Sequence, residues 1–153
     1  PSEKFLSERG KNVPGVALVC TLEGTRPFVV EVQALTSPTS FGYPRRHASG
    51  FDLNRLNLLI AVLERHMKAN LSNQDVYVNV VGGLRLQDPA CDLGVCMAIL
   101  SSLNKKALPE NTVYIGEVGL TGEVRKGVQF EKRKKETEKL GLTARQIKVL
   151  GET

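Results

Sequence analysis

Strand-like and helix-like segments alternate along this chain, and their order constrains its fold more than any other feature. Residues 16–22 and 28–35 are rich in β-branched residues and flank a short turn, which predicts a hairpin. The predicted elements are, in order, strands at 16–22 and 28–35, a helix from Asp52, a strand at 76–81, a helix from Asp88, a strand at 113–118, a hairpin turn at Thr121 and Gly122, a helix at 130–140 and a last strand at 147–150. This β-β-α-β-α-β-β-α-β order is typical of an α/β layer architecture.

The ends of the predicted helices carry capping signals. Asp52 is a good N-cap for a segment whose leucines recur at helical spacing. Asp88 and Pro89 combine an N-cap with the residue that is favoured at the first helical position. Gly141 is suited to end the last helix, which is highly charged. Residues 36–50 are rich in Ser, Pro, Gly and Arg, and they are predicted to form a loop.

The length of 153 residues fits one domain, and the lack of an initiator methionine predicts an excised fragment. We assign residues 1–15 to a linker from a missing N-terminal part and residues 16–153 to the domain itself. The sequence has no apolar run of ~20 residues and no signal peptide, so no membrane contact is expected. The odd cysteine count, without a CxxC pair, predicts small buried hydrophobes in a reducing, cytoplasmic compartment. These cysteines are Cys20, Cys91 and Cys96.

Several common kinds of site have no motif in this sequence. It contains neither a Walker phosphate loop nor a GxGxxG fingerprint, so no nucleotide site is predicted within the fragment. The two histidines, His47 and His66, lie in contexts that suggest neither a Ser-His-Asp triad nor a metal site. We interpret both as solvated polar residues, and we expect no metal and no cofactor in this fragment.

Several strings of the sequence resemble one family of bacterial DNA-repair proteins. The matching strings are LEGTRP at 22–27, VEVQAL at 30–35, GYPRR at 42–46, DVYVNV at 75–80, GGLR at 82–85 and GEVGLTGEVR at 116–125. They are similar to the RadA/Sms family, in the region that follows its ATPase domain. The match extends from about Pro1 to Gly141.

That region of the RadA/Sms family resembles Lon-type proteases, which implies a two-layer fold with a mixed sheet and packed helices. Lon-type proteases use a Ser-Lys dyad in which a neutral lysine acts as the base. The resemblance places Ala90 at the nucleophile position and Arg133 at the base position. Alanine has no nucleophilic atom and a protonated guanidinium accepts no proton, so the resemblance implies an inactive protease site. Cys91, next to Ala90, is the alternative nucleophile.

The resemblance also implies what the missing part of the protein contributes. That part is expected to hold a zinc-finger segment and an ATPase domain, so ATP, Mg and Zn are expected there and not in this fragment. The whole protein is expected to form a homo-hexameric ring that acts in recombinational DNA repair and branch migration. A recombinase filament is a further possible partner of that ring.

Cations are concentrated in two sets of residues. Residues 125–148 hold nine Lys and Arg against three Glu, a local balance of 9 − 3 = +6, within a chain of net charge +5. The helix in that stretch carries Lys132, Arg133, Lys134, Lys135 and Lys139. Lys132, Lys134 and Lys135 lie four residues from Glu136, Glu138 and Glu131, respectively, and such pairing indicates a solvated face. The other set lies in predicted loops and turns and comprises Arg26, Arg45, Arg46, Arg85 and Arg125.

We expect the second set to bind DNA, because arginine forks suit phosphate oxygens and these residues lack helical acidic neighbours. Phe41 and Tyr43 are the only rings near a basic loop, so sequence-independent binding through the backbone is expected. Replacing Arg45 and Arg46 is predicted to weaken binding more than replacing Lys134 and Lys135. The alternatives are an active Ser-Lys peptidase and a pure oligomerisation module.

Overall fold

The computed structural model describes residues 12–152, which form a six-stranded sheet, a two-stranded ribbon and three α-helices. The strands are β1 (Val16–Glu23), β2 (Arg26–Pro38), β3 (Arg46–Ser49), β4 (Gln74–Val80), β5 (Thr112–Tyr114), β6 (Glu117–Val118), β7 (Val124–Arg125) and β8 (Thr143–Arg145). The sheet order is β3-β4-β2-β1-β5-β8, and β6 pairs with β7. β2 is antiparallel to β1 and β4, whereas the remaining neighbours in the large sheet are parallel. The predicted α/β class with a mixed sheet is confirmed.

The helices are α1 (Leu53–His66), α2 (Asp92–Asn104) and α3 (Phe130–Lys139), and a 3-10 turn (Pro89–Cys91) precedes α2. Both predicted N-caps are confirmed. The Asp52 carboxylate accepts from the Arg55 N–H at 2.9 Å, and the Asp88 carboxylate accepts from the Ala90 N–H at 3.0 Å.

Helices α1 and α2 cover one face of the sheet. Val19 and Val30 are opposite each other on β1 and β2 and are buried in the main core with residues of both helices. α2 lies so close to β1 that a Cβ on Gly94 would be 2.1 Å from a Val19 methyl carbon. The adjacent pair, Cys20 and Val29, belongs to a separate cluster with residues of α3 and β8, because successive strand residues face opposite ways. The predicted two-layer arrangement is therefore wrong for this half of the sheet, where α3 forms a third layer.

One strand lies inside a predicted loop. β3 occupies the second part of residues 36–50 and pairs in parallel with β4, with Arg46 opposite Val76. Its sequence, Arg-His-Ala-Ser, has too few apolar residues to show strand periodicity. The prediction of a loop failed here because the strand is held by its pairing with β4 and not by local preference.

The C-terminal strands also differ from the prediction. The predicted strand at 113–118 is interrupted at Gly116, whose N–H donates to the Ala90 carbonyl at 2.9 Å while its own carbonyl accepts from the Leu93 N–H at 3.0 Å. These bonds direct the backbone at Gly116 towards the start of α2. The last strand is β8 and not residues 147–150, in which Val149 makes only an isolated bridge to Glu123.

The N-terminal boundary of the domain falls partly outside the described residues. The predicted linker spans residues 1–15, of which residues 1–11 lie outside that part of the chain. Gly15 is already bonded to the domain, since its N–H donates to Ser101 Oγ at 2.9 Å and its carbonyl accepts from Ala34 at 2.7 Å. Between residues 12 and 152, none of the helices combines the length and apolarity that a bilayer span needs.

Candidate functional site

The turn that carries Ala90 is organised by one carboxylate. Asp88 accepts hydrogen bonds from two backbone N–H groups, that of Ala90 at 3.0 Å and that of Leu22 in β1 at 3.2 Å. It also accepts from Arg133, which reaches it from α3 on the other side of β1. We call residues 88–91 the Asp88 turn. One carboxylate thus joins the sheet, the start of α2 and the third layer.

Arg133 is fully buried, although it lies on the most charged helix. Both terminal nitrogens of its guanidinium donate to the Asp88 carboxylate, one of them at 3.2 Å. The same group donates to the Cys20 carbonyl at 2.7 Å and to the Val128 carbonyl at 2.8 Å. Each donor nitrogen therefore has an acceptor, as a buried charge requires. Arg133 belongs to the interior, and its assignment to the solvated face of the helix is wrong.

Ala90 is closed off from solvent by a close backbone contact. Gly127 has φ +80, and a Cβ at that residue would lie 2.9 Å from the Ala90 Cβ. Ala90 itself is 2% exposed. Ala90 and Arg133 are therefore brought together around Asp88, but neither side chain can reach a substrate in this arrangement.

The cysteine next to Ala90 is also buried. Burial raises the pKa of the Cys91 thiol far above its ordinary value, and the nearby Asp88 carboxylate acts in the same direction. Burial likewise raises the pKa of Cys20 to about 12. A thiol must ionise and be reached by substrate to act as a nucleophile. Cys91 satisfies neither condition, and the prediction that Cys20, Cys91 and Cys96 are buried is confirmed.

The histidines lie apart from this turn. His66 Nε2 is 2.9 Å from the Leu120 carbonyl, next to the β6–β7 turn. The His47 ring is tilted beside Tyr77, with 6.3 Å between ring centroids. Over residues 12–152, no three His, Cys, Asp or Glu side chains are grouped closely enough to hold a metal ion.

A second ion pair beside the Asp88 turn was missed by the sequence analysis. Asp92 is 1% exposed and accepts from the Arg55 guanidinium, at 3.1 Å for Nε, and from the Val118 N–H at 3.1 Å. The hydrogen bond to Asp92 raises the pKa of Arg55. The pair forms part of the wall of a cleft of about 260 Å³ that also contains Arg85. Two features of the sequence could have indicated this pair. Asp92 is an acid among apolar residues at the start of α2, and Arg55 lies within a leucine-rich helix.

Three of the five candidate arginines lie around the Asp88 turn. Arg26 begins β2 at the β1–β2 turn, and its guanidinium lies 5.4 Å from the Phe28 ring centroid. Arg85 is exposed on the segment that leads from β4 into Asp88. Arg125 is 72% exposed and lies two residues before Gly127, which packs on Ala90. We call this end of the sheet the hairpin end.

The other two candidates, Arg45 and Arg46, lie at the opposite end. β2 pairs with β4 so that Pro38 is opposite Gln74, and beside that point Arg45 precedes β3 and Arg46 begins it. The thirteen residues of β2 correspond to roughly 40 Å of extended strand between the two ends. The five arginines therefore do not share one surface.

Arg46 differs from the other four because its guanidinium donates to main-chain carbonyls of the fold. It donates to the Leu71 carbonyl at 2.9 Å and also to the Gln74 carbonyl, so it holds the segment between α1 and β4. The side chain of Arg45 is exposed and has no hydrogen bond or ion pair with any residue of the described part. The predicted pair of DNA-binding arginines thus consists of one structural residue and one exposed cation.

One lysine of α3 lies at the hairpin end. Lys132 Nζ donates to the Thr25 carbonyl in the β1–β2 turn at 3.0 Å. This bond places one helix cation next to Arg26. The two cation sets, separate in the sequence, therefore meet at this turn.

Together, the fold and this site define an α/β domain with a buried aspartate–arginine pair at the start of a helix and exposed arginines around it. The chain is similar to curated bacterial proteins named DNA repair protein RadA. It is 53% identical over 141 residues to that of Halalkalibacterium halodurans and 51% identical over 141 residues to that of Bacillus subtilis, in both cases covering 92% of this chain and 31% of the relative. The RadA of Brucella abortus is 46% identical over 147 residues, or 96% of this chain and 32% of the relative.

Identity of 46–53% over at least 92% of the chain confirms the resemblance to the RadA/Sms family. The chain spans about a third of the length of these curated relatives, which is consistent with a fragment of such a protein. No protein-family model matches the chain.

Proposed function

We propose that this chain is a non-proteolytic Lon-like domain that binds the DNA backbone within a RadA-type repair protein. The observation that carries the proposal is the placement of Arg26, Arg85 and Arg125 around the Asp88 turn, in a homologue of DNA-repair proteins. Arginine guanidinium groups bind phosphate oxygens whatever the base sequence of the DNA, so such a surface binds DNA without base-specific contacts.

The three arginines are available to a phosphate. The bond from Arg125 to Glu123 is 3.3 Å long and exposed to solvent, so it contributes little to stability and a phosphate can replace it. The Phe28 ring beneath Arg26 orients that guanidinium without using its N–H donors. Arg85 lines an open cleft and faces solvent. Lys132 adds a fourth positive charge beside the β1–β2 turn.

The direct test is fluorescence anisotropy of the chain with labelled DNA duplexes of unrelated sequence. Affinity should be the same for each duplex and should fall with salt, with a log–log slope of about −0.9 for each phosphate contact. Absence of binding at low salt would refute the DNA proposal, and the remaining alternative would be that the domain is an oligomerisation module.

The chain should not cleave unfolded protein. Ala90 has no nucleophilic atom, Arg133 is held by Asp88, and Cys91 is buried, so none of the residues at the dyad positions can attack a peptide bond. Release of labelled peptides from casein should equal that of buffer alone. Cleavage that survives purification and is abolished by Cys91→Ala would revive the thiol alternative.

We further propose that the domain assembles as a hexamer and that ATP, Mg and Zn are bound by other parts of the whole protein. That protein would act in the cytoplasm in recombinational repair and branch migration, with a recombinase filament as a possible partner. Multi-angle light scattering should report a mass near six times 16.8 kDa at high protein concentration. A monomer at every concentration would refute assembly by this domain alone.

A further inference from the structure

The segment between β2 and β3 carries two nearly fully exposed aromatic rings. Phe41 is 89% exposed and Tyr43 is 94% exposed, and one glycine separates them. Burying a large apolar side chain is worth ~1.5–3 kcal/mol, so two rings left in water favour a partner that covers them. We call residues 39–45 the aromatic loop.

The aromatic loop is anchored at both of its ends. The Asp75 carboxylate accepts from the Thr39 hydroxyl at 3.0 Å and from the Arg45 N–H at 2.8 Å, and the Thr39 N–H donates to the Asn73 carbonyl at 2.8 Å. The hydrogen bond from the Arg45 N–H lowers the pKa of Asp75. The rings thus lie on a loop whose ends are fixed, which reduces the entropy lost when a partner binds.

The chemistry of the loop favours nucleic acid over protein as the partner. Its seven residues, Thr-Ser-Phe-Gly-Tyr-Pro-Arg, contain two rings, one cation and no acidic side chain, so the loop is complementary to a polyanion that carries bases. The Arg45 guanidinium is exposed at the end of the loop and makes no hydrogen bond or ion pair with residues 12–152. Proteins that bind single-stranded DNA combine aromatic rings, which stack on base faces, with cations that contact the phosphates.

We propose that the aromatic loop binds single-stranded DNA by stacking Phe41 and Tyr43 on unpaired bases while Arg45 contacts the strand's phosphates. In a duplex the base faces are covered by their neighbours, so the rings have nothing to stack on except at an open end. The proposal rests on the DNA-binding function proposed above and adds a second contact at the other end of the sheet. The domain would then hold duplex phosphates at the hairpin end and an unpaired strand at the aromatic loop.

The test compares single-stranded and duplex DNA on the intact chain with the Phe41→Leu/Tyr43→Leu variant. Leucine keeps apolar bulk but has no ring face. The variant should bind a labelled oligothymidylate of roughly 15 nucleotides about 30-fold more weakly, while its affinity for a blunt duplex changes less than about threefold. Circular dichroism should show an unchanged fold, because both side chains are exposed.

Tyr43→Trp provides a direct readout of stacking, because the chain has no other tryptophan. Its emission should be quenched by oligothymidylate and should not change with heparin, a polyanion without bases. Unchanged emission on binding of oligothymidylate would overturn the proposal, as would unchanged affinity of the leucine variant. Self-association that survives in the leucine variant and is lost in Phe41→Ala/Tyr43→Ala would instead identify the loop as a protein contact.

The two DNA proposals fail in different ways. If the arginine surface binds duplex normally but the ring substitutions leave oligothymidylate binding unaffected, only the aromatic-loop proposal is overturned. If neither nucleic acid binds at low salt, both proposals are overturned.

Discussion

Replacing Asp88 with alanine should destabilise the domain by about 3–5 kcal/mol, because it leaves Arg133 charged and unpaired in the interior. Arg133 is 0% exposed and Asp88 is 12% exposed, so water cannot take over the role of the carboxylate without opening the structure. The same change removes the acceptor for the N–H groups of Leu22 and Ala90. Unfolding in urea, followed by circular dichroism, measures the loss.

The matched control is the exposed ion pair between Arg125 and Glu123. Arg125→Ala should leave the free energy of unfolding nearly unchanged, since that pair is exposed and Glu123 keeps its hydrogen bonds to Thr121. The double variant Asp88→Ala/Arg133→Met should be less destabilised than Asp88→Ala alone, because it removes the orphaned charge. An Asp88→Ala variant within about 1 kcal/mol of the wild type would contradict the assigned role of this pair.

The triple variant Arg26→Ala/Arg85→Ala/Arg125→Ala should lose affinity for duplex DNA of every sequence. The slope of log affinity against log salt should become shallower by about three, one for each phosphate contact removed. These side chains are exposed, so the fold should be retained. Anisotropy across a salt series, with two unrelated duplexes, measures both the slope and the lack of sequence preference.

Two matched substitutions test whether this surface is the correct one. Lys134→Ala/Lys135→Ala removes two cations from α3 and should change the duplex slope less than the arginine variant does. Arg45→Ala removes an exposed cation at the opposite end, whereas Arg46→Ala is unsuitable because Arg46 donates to the Leu71 and Gln74 carbonyls. A larger effect of the lysine pair would place the duplex on α3 and refute the choice of arginines.

Local features of the sequence were sufficient for much of the fold. The N-caps at Asp52 and Asp88 were read correctly because a cap depends on a side chain and the next few N–H groups. The β1–β2 hairpin and the end of α3 before Gly141 were predictable for the same reason. The family resemblance likewise depended on contiguous strings, and relatives over 92% of the chain confirm it.

Long-range contacts could not be read in the same way. β3 exists because it pairs with β4, and its four residues have no strand signal of their own. Arg133 looked like one more cation on a charged helix, yet its guanidinium lies against an aspartate 45 residues away in the chain. Arg46 looked free but is bonded to two carbonyls. Sequence patterns report which face of an element is apolar, but an ion pair or a strand partner depends on where distant segments are packed together.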